Sequence, residues 1–204
     1  MYPPVVYNPL SPYPVARHGA PFFGMPSGLM PPPPAAVEWR EAAYVRNLNA
    51  NRSPEAIRWT EFLDKEGGHG LWKEFAREYR HHTGFIRGWA GTALMNIAMG
   101  VSMLRTAKAK NHYRRLRPFE VDPGIQRLTG TVHGKSYPSG HTSNAFAAST
   151  VLGFLWPQRA HEFEWWARQV GMSRMHNGVH FPSDVAAGEN LGRIAGMQTA
   201  SILF

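Results

Sequence analysis

Three short stretches of this 204-residue chain place cations, histidines and small residues at spacings that could do chemistry on an oxyanion. The first runs from Lys110 to Pro118 and also carries Arg114, Arg115 and Arg117. On a continuing helix, Lys110 and Arg117 lie about two turns apart along one side, and Pro118 then stops the helix. Two such cations can clamp one tetrahedral oxyanion, the arginine with paired hydrogen bonds. A solvated basic end that complements the helix dipole would use the same residues.

The second stretch, Ser136-Tyr137-Pro138-Ser139-Gly140-His141-Thr142, runs from a turn into an apolar segment. Gly140 lets backbone approach a ligand, and free amides at a helix start favour an anion. Ser139 adds a hydroxyl, and His141 can deliver a proton near neutral pH; a capped loop with an incidental histidine is the plainer reading. The third stretch holds Arg174 near a helix end, then His180, then Ser183 as a cap and Asp184 in the first turn of the next helix. A carboxylate on one imidazole nitrogen makes the other a defined, more basic nucleophile.

These groups need elements to hold them, and the pattern after residue 35 is helical throughout. Trp39, Ala42, Ala43, Val45 and Leu48 follow helical spacing, and Ser53-Pro54 is a start signal. Further helices are expected over about 71–80, 85–107, 140–156, 161–175 and 183–203. Strand-like alternation and internal repeats are scarcely visible. The expectation is an all-α fold: one compact helical bundle over residues 35–204, preceded by a Pro-rich extended or disordered arm over 1–34 that ends in four prolines.

Composition narrows the classes. The formal charge of +8 suits a small phosphorylated substrate as well as nucleic acid. The basic residues form no long run, so nucleic acid is not expected as a partner. With no cysteine in the chain, disulfides, thiolate metal sites and cysteine nucleophiles are excluded. The apolar stretch over 88–104 is short for a membrane span and contains Asn96 and Ser102, so it reads as a buried helix and stable membrane insertion is not expected. No secretory signal is visible, which points to the cytoplasm, or to the periplasm or secretion for a protein whose leader was removed.

Taken together, the three stretches resemble the signature of the type 2 phosphatidic acid phosphatase superfamily, which also contains vanadium-dependent haloperoxidases. The pattern is Lys110, six residues, Arg117-Pro118; then Pro138-Ser139-Gly140-His141; then Ser173-Arg174, five residues, His180, three residues, Asp184. The match is closest to the bacterial class A non-specific acid phosphatases, through the whole stretch from Ser136 to Thr142, Pro31 to Pro34, and Phe119. It departs from them at Lys135, which displaces a glycine to Gly134, around His180, and in lacking cysteines.

The resemblance implies a phosphatase with His180 as nucleophile and Asp184 orienting it. Lys110, Arg117, Ser139, Gly140, His141 and Arg174 would bind phosphate, and His141 would protonate the leaving oxygen. It implies no metal and no cofactor, with vanadate as an inhibitor, and it leaves a homo-oligomer open. Two alternatives remain: a vanadium haloperoxidase with vanadate as cofactor, and a phosphatase for lipid phosphate or prenyl diphosphate, whose pocket the aromatics Phe85, Trp89, Trp165 and Trp166 would line if they do not, as their type first suggests, pack in the core. The remaining histidines read as surface or packing residues, although His112 and His176 lie close enough in sequence to touch substrate.

Overall fold

The computed structural model describes residues 29, 31–130 and 132–203, and among these there is no strand. Most of the Pro-rich arm expected over 1–34 lies outside the described residues. Pro34 keeps an extended backbone and hands over directly to α1 (Ala35–Ala50). Helix α2 (Pro54–Glu66) starts as its sequence demands, with Ser53 Oγ accepting from the Ala56 amide. Then come α3 (Gly70–Thr83), the long α4 (Phe85–Tyr113) and a single turn, α5 (Pro118–Val121). After an irregular segment, α6 (Gly140–Leu155), α7 (Ala160–His176) and α8 (Pro182–Ala200) complete the bundle.

The core fills the space between α2, α3, α4, α6 and α7 with Leu63, Trp72, Phe75, Met95, Phe146, Leu152 and Phe163, all buried. Each such side chain removed from water contributes roughly 1.5–3 kcal/mol. Trp165 and Trp166 pack against this cluster from its edge.

Helices α6 and α8 are the closest pair, and small residues allow it. A Cβ on Gly188 would stand 2.6 Å from the Ser139 carbonyl oxygen, and one on Gly192 would stand 2.2 Å from that of Ser143. Gly196 continues the row one turn on, against Ala147 and Thr150. The matched order shows that the two helices run parallel, so their N-termini meet at one end of the bundle. Helix α4 runs the other way: Gly140 lies beside Thr106, while Gly91 faces Leu155 at the far end of α6. The C-terminal part of α4 therefore arrives at the same end.

Two expectations about α4 need correction. It ends at Tyr113, not at Pro118, because Arg114 adopts a left-handed backbone (φ 51°). Nor is it buried all round: Ile86 is 82% exposed, and Trp89, Ile97 and Leu104 about half exposed, on one outward row. No helix among the described residues is long and apolar enough to cross a membrane.

Candidate active site

The three stretches meet at the end of the bundle where α6 and α8 begin. The Ser139 amide donates to the Asp184 carbonyl (2.9 Å), which ties the start of α6 to the start of α8. Ser139 caps α6 through its hydroxyl, which accepts from the Thr142 amide at 3.4 Å and from the Thr142 hydroxyl at 2.8 Å. Gly140 is thus the first helical residue, with its amide among those a helix start leaves unpaired.

His180 is buried between a cation and an acid. Its Nδ1 lies 3.4 Å from Asp184 Oδ2, and its Nε2 lies 3.3 Å from a guanidinium nitrogen of Arg117. A guanidinium can only donate, so Nε2 must present its lone pair and Nδ1 must carry the hydrogen toward Asp184. The tautomer that suits a nucleophile is fixed by these two neighbours. Burial, then the charges of Lys110, Arg117 and Arg174, hold the His180 imidazole well below its ordinary pKa, and so neutral.

Arg117 does not share a helix face with Lys110. The left-handed turn at Arg114 swings the chain round, and Arg117 reaches the site from outside α4, as the residue preceding α5. Its guanidinium donates to the carbonyls of Val179 (2.9 Å), Gly134 (3.1 Å) and His133 (3.1 Å). Lys110 Nζ donates to the carbonyls of Lys135 and Ser136. Burial and the neighbouring Arg117 push the Lys110 ammonium down to about 7, and Arg117 falls to about 10 from burial and Arg174. Arg174, fully buried on α7, pairs with Asp64 of α2, and its Nε has no partner.

Behind His180 lies a network that the motifs did not announce. Asp184 Oδ2 accepts from Ser136 Oγ and the Phe181 amide, and Oδ1 accepts from Arg115 at 2.7 Å. Arg115 also donates to Ser183 Oγ (2.7 Å) and to Glu41 Oε2 (2.8 Å) on α1, and its guanidinium lies over the Phe181 ring. Complete burial raises the Asp184 carboxyl above its ordinary pKa, although the Arg115 charge and the hydrogen bonds from Ser136 and Phe181 favour the anion and oppose that rise. With this set of donors on both oxygens, the ionised form is the one the site holds.

Ser183 is not the cap expected for α8. The residue before that helix is Phe181, Asp184 accepts its amide, and Ser183 serves Glu41 instead, donating from its hydroxyl at 2.7 Å and its amide at 2.8 Å.

His141 stands at the edge of this cluster, on the first turn of α6 and against Gly68 of the α2–α3 connection. Burial and the Arg174 charge push its imidazole down to about 3, so near neutral pH it is the uncharged ring. Of the remaining histidines, His69 lines a pocket with Lys110 and His141. His112 is exposed and packs edge-on against Tyr113. Phe85 and Trp89 lie at the opposite end of α4 from Lys110, and Trp165 and Trp166 face the core, so none of these aromatics lines the pocket.

Comparison with known proteins decides the lineage. The family model described as PAP2 superfamily matches residues 91–203, more than half the chain. The chain belongs to the PAP2 superfamily. Within this family it is 35% identical over 110 residues to a non-specific acid phosphatase of Salmonella typhi, covering 50% of this chain and 42% of that one. A second non-specific acid phosphatase, from Salmonella typhimurium, is 37% identical over 98 residues (44% and 37% covered). The chain thus spans about two fifths of the length of these relatives. Its fold resembles that of a bacterial vanadium-dependent iodoperoxidase, with TM-score 0.76 and 20% identity over 86% of this chain and 53% of the other.

Proposed function

We propose that this chain is the phosphotransfer domain of a phosphomonoester hydrolase that works through a phosphohistidine on His180, without a metal or cofactor. The observation that carries the reading is the orientation of His180, with Nε2 turned to Arg117 and Nδ1 to Asp184. Around it, burial lowers the proton affinity of Lys110, Arg117 and Arg174, and the charge of Arg174 adds to the effect on the other two, so the three converge on a place that suits an anion. The PAP2 family and the relatives named acid phosphatases support the same reaction class.

In the first step Nε2 attacks phosphorus, the P–N bond forms, and the ester P–O bond breaks on the opposite side. Lys110, Arg117, Arg174, Ser139 and the Gly140 amide hold the equatorial oxygens, whose charge spreads in the transition state. The leaving oxygen takes a proton through His141. Because His141 is neutral in the free protein, that proton arrives with a substrate monoanion, whose second ionisation lies near 6, and this favours acidic conditions. In the second step His141 accepts a proton from water as the water attacks phosphorus. The P–N bond then breaks and releases inorganic phosphate.

The test is turnover of p-nitrophenyl phosphate in a metal chelator from acidic to neutral pH, beside His180→Ala. Chelator-resistant turnover, inhibited by vanadate and lost in the variant with its melting temperature retained, is expected. Turnover that persists in His180→Ala would remove the proposed nucleophile. Peroxide-dependent bromination by the vanadate-loaded protein, with no phosphatase activity, would make it a haloperoxidase instead.

A further inference from the structure

A pocket of about 340 Å³ opens beside the candidate phosphate site and shares Lys110, Gly140 and His141 with it. Its other walls are mostly carbon, from Met103 and Ala107 of α4 and from Gly68 in the α2–α3 connection. Three polar side chains break that surface, the exposed His69 and the buried Asn144 and Thr106. Asn144 and Thr106 are 7% and 5% exposed, and neither Asn144 Oδ1 nor Thr106 Oγ1 has a hydrogen-bond partner in the protein.

Buried polar atoms are nearly always paired. Two orphans on one pocket wall therefore call for a partner from outside the chain. Their register says which partner. Asn144 is one turn beyond Gly140 on α6, and Thr106 is one turn before Lys110 on α4, so each shares a helix face with a residue of the phosphate site. The pocket also lies on the His141 side, where the reaction proposed above returns a proton to the departing oxygen.

We infer that this pocket is the leaving-group subsite, and that it takes an alcohol with a ring-sized apolar body carrying one hydrogen-bonding group, read by Asn144 and Thr106. This rests on the phosphohydrolase reading of the same site. A purely hydrocarbon alcohol leaves both polar atoms unpaired. A wholly polar one places hydroxyls against Met103 and Ala107. The favoured class satisfies both kinds of wall, as sites built to hydrogen-bond a group discriminate against analogues that lack it.

The experiment compares benzyl phosphate with its 2-, 3- and 4-(hydroxymethyl) derivatives, whose ester chemistry is alike. At least one isomer should exceed benzyl phosphate in kcat/KM by about five- to tenfold. That preference should vanish in Asn144→Leu and shrink in the isosteric Thr106→Val, with the inhibition constant of inorganic phosphate within about twofold of wild type. Equal rates for all four esters in the wild type, or a preference surviving both substitutions, would overturn the assignment. The corresponding benzylphosphonates, which resist hydrolysis, repeat the comparison as binding constants. An enzyme that binds them selectively without turning over any ester contradicts the phosphohydrolase reading alone, whereas unselective or absent phosphonate binding overturns the subsite.

Discussion

At the residue scale, the chemistry depends on what each neighbour of His180 can and cannot do. Arg117 can only donate, so it keeps a lone pair on Nε2, and Asp184 takes the Nδ1 hydrogen. Asp184 is itself held by Arg115, and Arg115 by Glu41. Glu41→Gln keeps the shape of this chain but removes its outer charge. We expect kcat to fall about tenfold with KM little changed, as for other supporting partners of a catalytic group. An unchanged kcat at an unchanged melting temperature would show that Glu41 only packs. Lys110 offers a second test. With its ammonium pushed down to about 7, it is charged below that pH and neutral above it. Affinity for sulfate, an oxyanion of fixed charge, should fall as pH rises through about 7, and Lys110→Met should flatten the curve. A wild-type curve that is already flat would show that Lys110 does not touch the anion. The signature residues were legible because their types and spacing lie within single stretches of sequence. Asp64 and Glu41 were not, since each is brought in by a distant helix and carries no pattern of its own.

At the element scale, the site exists because four helix ends coincide: the starts of α6 and α8, and the ends of α4 and α7. Most of the helices could be read from periodicity, and Ser53-Pro54 marked its boundary correctly. The end of α4 could not, because the left-handed turn at Arg114 is set by where Arg115 must go, into the buried carboxylates of Glu41 and Asp184. Nor did the apolar run over 88–104 reveal that one side of its helix faces outward. The register of α6 against α8 rests on backbone contact at Gly188, Gly192 and Gly196. Gly192→Ala sets a methyl group 2.2 Å from the Ser143 carbonyl oxygen, which the helices can relieve only by separating. We expect a loss of about 1–3 kcal/mol in urea denaturation, with reduced turnover as Asp184 shifts against Ser139. Wild-type stability would mean that the two helices are not held this tightly.

At the scale of the whole molecule, four cations gather at one end of the bundle. Glu38, Glu41 and Asp184 surround Arg115 and Asp64 pairs with Arg174, whereas Lys110 and Arg117, also largely buried, donate to carbonyls and make no ion pair among the described residues. Two cations held out of water without a carboxylate partner suit an anion, and a bound phosphoryl group is the one proposed. The most direct measurement is to mix the protein with a radiolabelled phosphomonoester, quench in alkali within milliseconds, and map the label by mass spectrometry. The account predicts an alkali-stable, acid-labile phosphoryl group on His180, absent in His180→Ala. Burst-free turnover with no labelled protein at any quench time, or a label on another residue, would contradict it.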